Sequence, residues 1–186
     1  MRGTATTGQS VTSPMEIATG DRAPAVHQIT IEHTFETAHR LPQLGGKCTS
    51  LHGHSWRAAV SVVASGLSDE SIVVEFGRLK AGIRGWIDTY LDHSTMLGIR
   101  DPLVVHLAAA KCKVFRFGAN RNATVDDAEL MVSDLAWPTV EAVAVLLRRV
   151  SQAVLAGLPG GEGAQVGRVT VRETDINAAA YGSVIA

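Results

Sequence analysis

Two segments of strictly alternating side chains, separated by a glycine pair, constrain this chain more than any other feature. From His27 to His39, the odd positions Ile29, Ile31, His33 and Phe35 alternate with Thr30, Glu32, Thr34 and Glu36. From about His54 to Ala64, Trp56, Ala58, Val60 and Val62 hold the even positions, and Gly66 lies in the next turn. Period two marks a half-buried strand, because successive side chains point to opposite faces of a sheet. Gly45 and Gly46 fall in the loop between the two segments. An antiparallel hairpin would put both apolar sets on one face, where something must cover them.

Two helical stripes supply that cover. Phe76, Leu79, Ile83, Ile87 and Tyr90 recur at helical spacing, although Gly82 and Gly85 each weaken a helix by about 1 kcal/mol relative to Ala. Val143, Leu146, Leu147, Val150 and Val154 form a cleaner stripe, opened by Pro138-Thr139 and closed by Gly157 and Pro159. Two further apolar runs, Val166 to Val171 and Ala178 to Ile185, are expected as two strands or one long bent one. Residues 101–136 are the least legible: Asp101 to Ala110 suggest a short helix, Lys113 to Phe117 a short strand, and Gly118 to Asn122 a loop. The order β-β-α-α-β-β predicts an α+β fold, an antiparallel sheet with two helices on one face. Residues 1–26, rich in Thr, Ser, Gly, Ala and Pro, bury too little apolar surface to offset ordering entropy and are expected to be a disordered tail. The domain is therefore expected over residues 27–186 of the 186-residue chain.

Composition narrows the function classes. Lys+Arg 17 against Asp+Glu 18 leaves a formal charge of -1, which argues against nucleic acid or an anionic membrane surface as partner. A local basic pocket for a small phosphate stays open. Cys48 and Cys112 are too few for a disulfide framework and are expected to be free thiols. No apolar run approaches the roughly 18 residues of a membrane span, and the first residues lack the apolar core of a secretory signal. A cytoplasmic protein is the expectation.

The histidines concentrate the chemistry. His52 and His54 enter the second strand at i, i+2 spacing and so share a face, while His39 ends the first strand on the face of Ile31 and Phe35. In a hairpin the three imidazoles would meet, a donor set that suits zinc with a fourth position open. Cys48, four residues before His52, fits three roles: an inert thiol, a fourth ligand closing a structural site, or a thiol activated by zinc and nearby Lys47. Spacing alone favours the ligand over the inert thiol and does not choose among all three. Asp92-His93 closes the first helix. Adjacent residues diverge on a helix, so a partnership there requires the chain to leave helical geometry. Glu173 ends the run Val166 to Val171, where a solvated edge charge is the ordinary outcome. His27, His33 and His106 carry no pattern and are expected to be structural.

Taken in order, these segments resemble a known family. Phe35-Glu36-Thr37-Ala38-His39-Arg40-Leu41-Pro42 and Cys48-Thr49-Ser50-Leu51-His52-Gly53-His54-Ser55-Trp56 are similar to blocks of the 6-pyruvoyl-tetrahydropterin synthase / 6-carboxy-tetrahydropterin synthase family. Glu75-Phe76-Gly77-Arg78-Leu79-Lys80, Leu91-Asp92-His93, Pro138-Thr139-Val140-Glu141 and Arg172-Glu173-Thr174 match further blocks in the family's order. Glu75 stands where Asp is usual, and residues 104–136 are longer than in compact bacterial members.

The resemblance implies a T-fold whose subunits close into oligomeric barrels, with a hexamer as the expected homo-oligomer and active sites between subunits. It implies Zn2+ on His39, His52 and His54, and Cys48 as catalytic proton acceptor instead of fourth ligand. His93 would act in the relay, oriented by Asp92 and serving a neighbouring subunit's Cys48. Glu173 would hold the pterin ring near the relay, with Thr139 as a further substrate contact. The implied reaction converts 7,8-dihydroneopterin triphosphate to 6-carboxy-5,6,7,8-tetrahydropterin, acetaldehyde and triphosphate, on a deazapurine or queuosine-type route. The rivals are the pyruvoyl-forming synthase, which eliminates triphosphate and keeps the side chain, and a non-catalytic zinc-stabilised pterin-binding module.

Overall fold

The computed structural model describes residues 26–120 and 125–183; the expected N-terminal tail lies almost wholly outside them. The elements in chain order are β1 (His27–His39), a 3-10 turn (Gly46–Thr49), β2 (His52–Ala64), α1 (Phe76–Tyr90), β3 (Ser94–Gly98) and α2 (Leu103–Ala109). β4 (Val114–Phe117), α3 (Asp127–Leu130), α4 (Val140–Ala156), β5 (Gln165–Arg172) and β6 (Ala178–Gly182) follow.

β1 and β2 form the expected antiparallel hairpin, in register from His27↔Ala64 to His39↔His52. The parity of the sequence is met: Phe35 lies opposite Trp56 and stacks with it at 6.2 Å, and both are buried. The sheet order is β4-β3-β1-β2-β5-β6. β1, β2, β5 and β6 are mutually antiparallel, as expected, but β3 and β4 extend the sheet as parallel strands beside β1. Parallel neighbours need a crossover, and α2 supplies it between β3 and β4. β3 was not foreseen, because a short strand with four of its five residues buried shows no alternation to read. The helix and strand expected at 101–117 are α2 and β4. The one-turn α3, closed by the reciprocal capping box of Asp126 and Glu129, was not foreseen.

α1 and α4 cover the apolar face of the sheet, burying Leu79, Ile83 and Ile87 from one and Val143, Leu146, Leu147 and Val150 from the other. Glu75, the departure from the family pattern, caps α1 by accepting from the amides of Gly77 (2.7 Å) and Arg78 (2.6 Å). Gly82 has a packing role: a Cβ there would lie 2.6 Å from Val154 Cγ1, so the bare backbone lets the two helices close up. No helix among the described residues is long and apolar enough to cross a membrane.

Candidate metal centre and the residues around it

The hairpin register delivers three imidazoles to one end of the buried face. His39 is the last residue of β1 and fully buried, His52 lies opposite it, and His54 follows two residues on. Their ring centroids are 4.7 to 5.3 Å apart, and one nitrogen from each lies within 4.8 Å of the other two. Trp56, next on the same face, sets its ring edge-on to His39 and His54 and walls off the core side.

The hydrogen bonds decide which nitrogens are free. His39 Nδ1 lies 2.9 Å from the carbonyl of Pro138, and His52 Nδ1 lies 2.8 Å from the carbonyl of Ser50. A carbonyl only accepts, so each Nδ1 carries the proton and each Nε2 keeps its lone pair. Nε2 of His39 and of His54 are buried with no hydrogen-bond partner. Orphaned buried acceptors at the centre of a three-imidazole cluster fit a metal ion, and the carbonyl-anchored Nδ1–H is the usual outer support of a metal-binding imidazole. Burial holds the His39 and His54 imidazoles below their ordinary range despite the nearby Glu173 carboxylate, which favours the neutral, ligating form.

Glu173 stands at this cluster. It follows Val171 by two residues on the buried face just past β5, and its amide donates to the carbonyl of Asn177 at 3.1 Å. Its Oε1 lies 3.2 Å from His39 Nε2 and 3.9 Å from His54 Nε2, close enough for ion pairing but without the alignment of a hydrogen bond. Cys48 lies in the 3-10 turn, half-buried, its carbonyl accepting from the Leu41 amide at 2.7 Å. Among the described residues its thiol stands outside the cluster of candidate ligand atoms.

Asp92 and His93 do meet, by the departure from helical geometry that the sequence required. His93 adopts φ 55, and its Nδ1 lies 2.7 Å from Asp92 Oδ2. The backbone of Glu36 fixes both: its amide donates to Asp92 Oδ1 at 2.8 Å, and its carbonyl accepts from the His93 amide at 2.7 Å. Burial pushes the Asp92 carboxyl up, but the Glu36 amide and His93 outweigh it and hold the carboxyl below its usual range. An ionised Asp92 accepts the hydrogen bond of the Nδ1–H, leaving His93 Nε2 as an acceptor on a mostly exposed ring. His93 borders an open cavity of about 320 Å³ that Glu36, Ser55 and His54 also line. Its ring is not part of the cluster of candidate ligand atoms formed by His39, His52 and His54.

Thr139 caps α4, its hydroxyl accepting from the Ala142 amide at 3.2 Å. It borders a separate cavity with Gln43 and Glu141. Its neighbour Pro138 touches the site, through the carbonyl that holds His39. Gly98 makes this possible, since a Cβ there would lie 2.7 Å from both the Ala136 carbonyl and the Trp137 ring. Sequence reasoning missed the carbonyls of Pro138 and Ser50, because every residue carries one. It also missed the ion pair of half-buried Arg40 with buried Asp101, 3.1 Å apart, which ties the residue after His39 to the loop before α2.

Solved structures share this architecture at low identity. An uncharacterized protein from Wolinella succinogenes superposes with a TM-score of 0.59 at 23% identity, covering 85% of this chain and 98% of its own. The 6-pyruvoyl tetrahydropterin synthase of Caenorhabditis elegans does so at 0.56 and 18%, covering 86% and 97%. Among curated sequences, a 6-carboxy-5,6,7,8-tetrahydropterin synthase of Synechocystis sp. is 39% identical over 85 residues, 42% of this chain and 66% of that protein. One from Aquifex aeolicus is 31% identical over 116 residues, 60% of this chain and 64% of that protein. The chain thus spans just under two thirds of these relatives' length. The family profile described as 6-pyruvoyl tetrahydropterin synthase matches residues 28–183, nearly all of the hairpin, helices and strands described above, and the chain belongs to that family.

Proposed function

We propose that this chain is a zinc-dependent 6-carboxy-5,6,7,8-tetrahydropterin synthase, converting 7,8-dihydroneopterin triphosphate to 6-carboxy-tetrahydropterin, acetaldehyde and triphosphate for a deazapurine-type route. The observation that carries this reading is the cluster of His39, His52 and His54 with unpartnered buried Nε2 atoms and the Glu173 carboxylate at its rim. The names of the curated relatives favour the carboxy product over the pyruvoyl one.

His39, His52 and His54 would hold the zinc as neutral imidazoles, and the ion would supply a Lewis acid for substrate oxygens that makes neighbouring C–H and O–H groups more acidic. Glu173 accepts two parallel hydrogen bonds from the pterin amino group and ring N–H. Cys48, on the turn that leads into His52, takes the substrate proton. His93, oriented by Asp92, completes the relay from a neighbouring subunit. Thr139 enters through the head of α4, where its cap keeps the Pro138 carbonyl in place for His39. The assembly is a homo-oligomer, a hexamer in this reading.

Product analysis tests the proposal. Zinc-loaded protein given dihydroneopterin triphosphate should yield 6-carboxy-tetrahydropterin with stoichiometric acetaldehyde. A tetrahydropterin that keeps its three-carbon side chain, formed without acetaldehyde, would assign the pyruvoyl reaction. No consumption of substrate would leave a binding module.

A further inference from the structure

The sheet face opposite to the helices carries a feature that the pterin chemistry does not use. Arg57 of β2 and Arg172 of β5 are directly opposite each other in the register, and Arg168 lies on the same face four residues back along β5, opposite Ser61. All three are exposed. Like charges placed directly across a sheet repel, and no acid separates them. Arg57 makes no ion pair or hydrogen bond among the described residues, and Arg172 donates only to the backbone carbonyl of Asp175 at 3.2 Å. Glu36, on the same face, is held by the Ser55 hydroxyl at 2.9 Å.

The two guanidinium groups line a cavity of about 490 Å³ together with Thr34, Ser55, Thr174 and Asp175. Two forked guanidinium groups and the hydroxyls of Thr34 and Thr174 offer more donors than the two oxygens of a carboxylate can accept. They match the three or four oxygens of a phosphoryl group, for which arginine forks are suited. The single carboxylate in the lining, Asp175, is outnumbered. We infer that the open sheet face holds a phosphoryl-oxyanion site built on Arg57 and Arg172, separate from the imidazole cluster across the sheet. Its occupant is either free phosphate or the triphosphate tail of the substrate; the second source rests on the function proposed above.

Titration calorimetry of the full-length, zinc-loaded protein with inorganic phosphate tests the site directly. Saturable binding near one per chain is expected. The Arg57→Ala, Arg172→Ala double variant should bind at least about ten-fold more weakly, and Arg57→Lys, Arg172→Lys should fall between, because ammonium groups keep the charge and lose the fork. Both arginines are exposed, so the melting temperature without phosphate should be unchanged by either pair of substitutions, and phosphate should raise it in the wild type, less in the Lys pair and not in the Ala pair. The His52→Ala, His54→Ala variant should bind phosphate like the wild type. Absence of saturable binding overturns the inference. So does wild-type affinity in the double Ala variant, or loss of binding in the His variant, which would move the anion to the imidazoles. The KM for dihydroneopterin triphosphate then separates the sources: a rise in the double Ala variant with unchanged neopterin affinity assigns the substrate tail, and an unchanged KM assigns free phosphate. Failure of turnover in the wild type sinks the proposed function and leaves the phosphate titration intact.

Discussion

At the scale of single residues, protonation and hydrogen-bond geometry dominate. His39 and His54 have depressed imidazole pKa values, with burial as the leading cause. In metal-free protein the unfolded chain therefore binds more protons below the unperturbed value of about 6.5, so stability is full above it and declines as pH falls through that window. Melting of chelated protein between pH 8 and 5 should show this decline, and His39→Gln should flatten it. Wild-type slope in that variant would remove His39 as the source. About one zinc per chain is expected by elemental analysis, lost in the His52→Ala, His54→Ala variant and kept in Cys48→Ala. Zinc lost from Cys48→Ala would make the thiol a ligand. Glu173→Gln replaces one acceptor oxygen with a donor that faces a donor, so pterin affinity should fall about ten-fold or more, with some loss of turnover. Cys48→Ala and His93→Ala should bind pterin normally and lose nearly all turnover, because their groups act only as the reaction proceeds. Fluorescence titration alongside steady-state rates distinguishes the two patterns.

Among the elements, α1 shows how packing overrides propensity. Gly82 and Gly85 both weaken a helix, yet they occupy different surroundings. Nothing lies within 4 Å of a Cβ built on Gly85, whereas at Gly82 it would strike Val154. Gly85→Ala should therefore stabilise by up to about 1 kcal/mol, the ordinary propensity gain. Gly82→Ala gains the same propensity but must push α1 off α4, a cost of about 1–3 kcal/mol for overpacking, so its net effect is destabilising. Urea denaturation of the two variants reads opposite signs if the helices are in contact there. The amphipathic stripes of α1 and α4 were legible because 3.6-residue periodicity survives such local defects. β3 and α3 were not legible, being too short for any period to establish itself. The Asp92–His93 partnership depended on a left-handed residue at His93, which a bulky, non-glycine side chain does not advertise.

For the whole molecule, the sheet ends at β6, whose five residues are mostly small and exposed, and no described strand pairs with its outer edge. Unpaired edges invite pairing with another chain. In the proposed reading the relay is shared, with His93 serving the Cys48 of a neighbouring subunit. A homo-oligomer, hexameric in the proposed reading, is expected in sedimentation velocity at micromolar concentration. A monomer that turned over substrate at the same concentration would contradict a site shared between subunits.

The hairpin, its parity and the convergence of His39 with His52 and His54 follow from the sequence by itself, because a period of two rigidly assigns each side chain to a face. Glu173 by contrast read as an edge charge in the sequence, and only the folded chain sets it at the imidazoles. Tertiary structure alone decided the rest. It chose the tautomers of His39 and His52 through the Pro138 and Ser50 carbonyls, set β3 and β4 parallel to β1, and fixed the Asp92–His93 pair on the backbone of Glu36. It also brought Arg57 opposite Arg172 from positions more than a hundred residues apart. Backbone carbonyls, crossover direction and cross-strand neighbours are properties of where distant segments come to rest, and no local pattern encodes them.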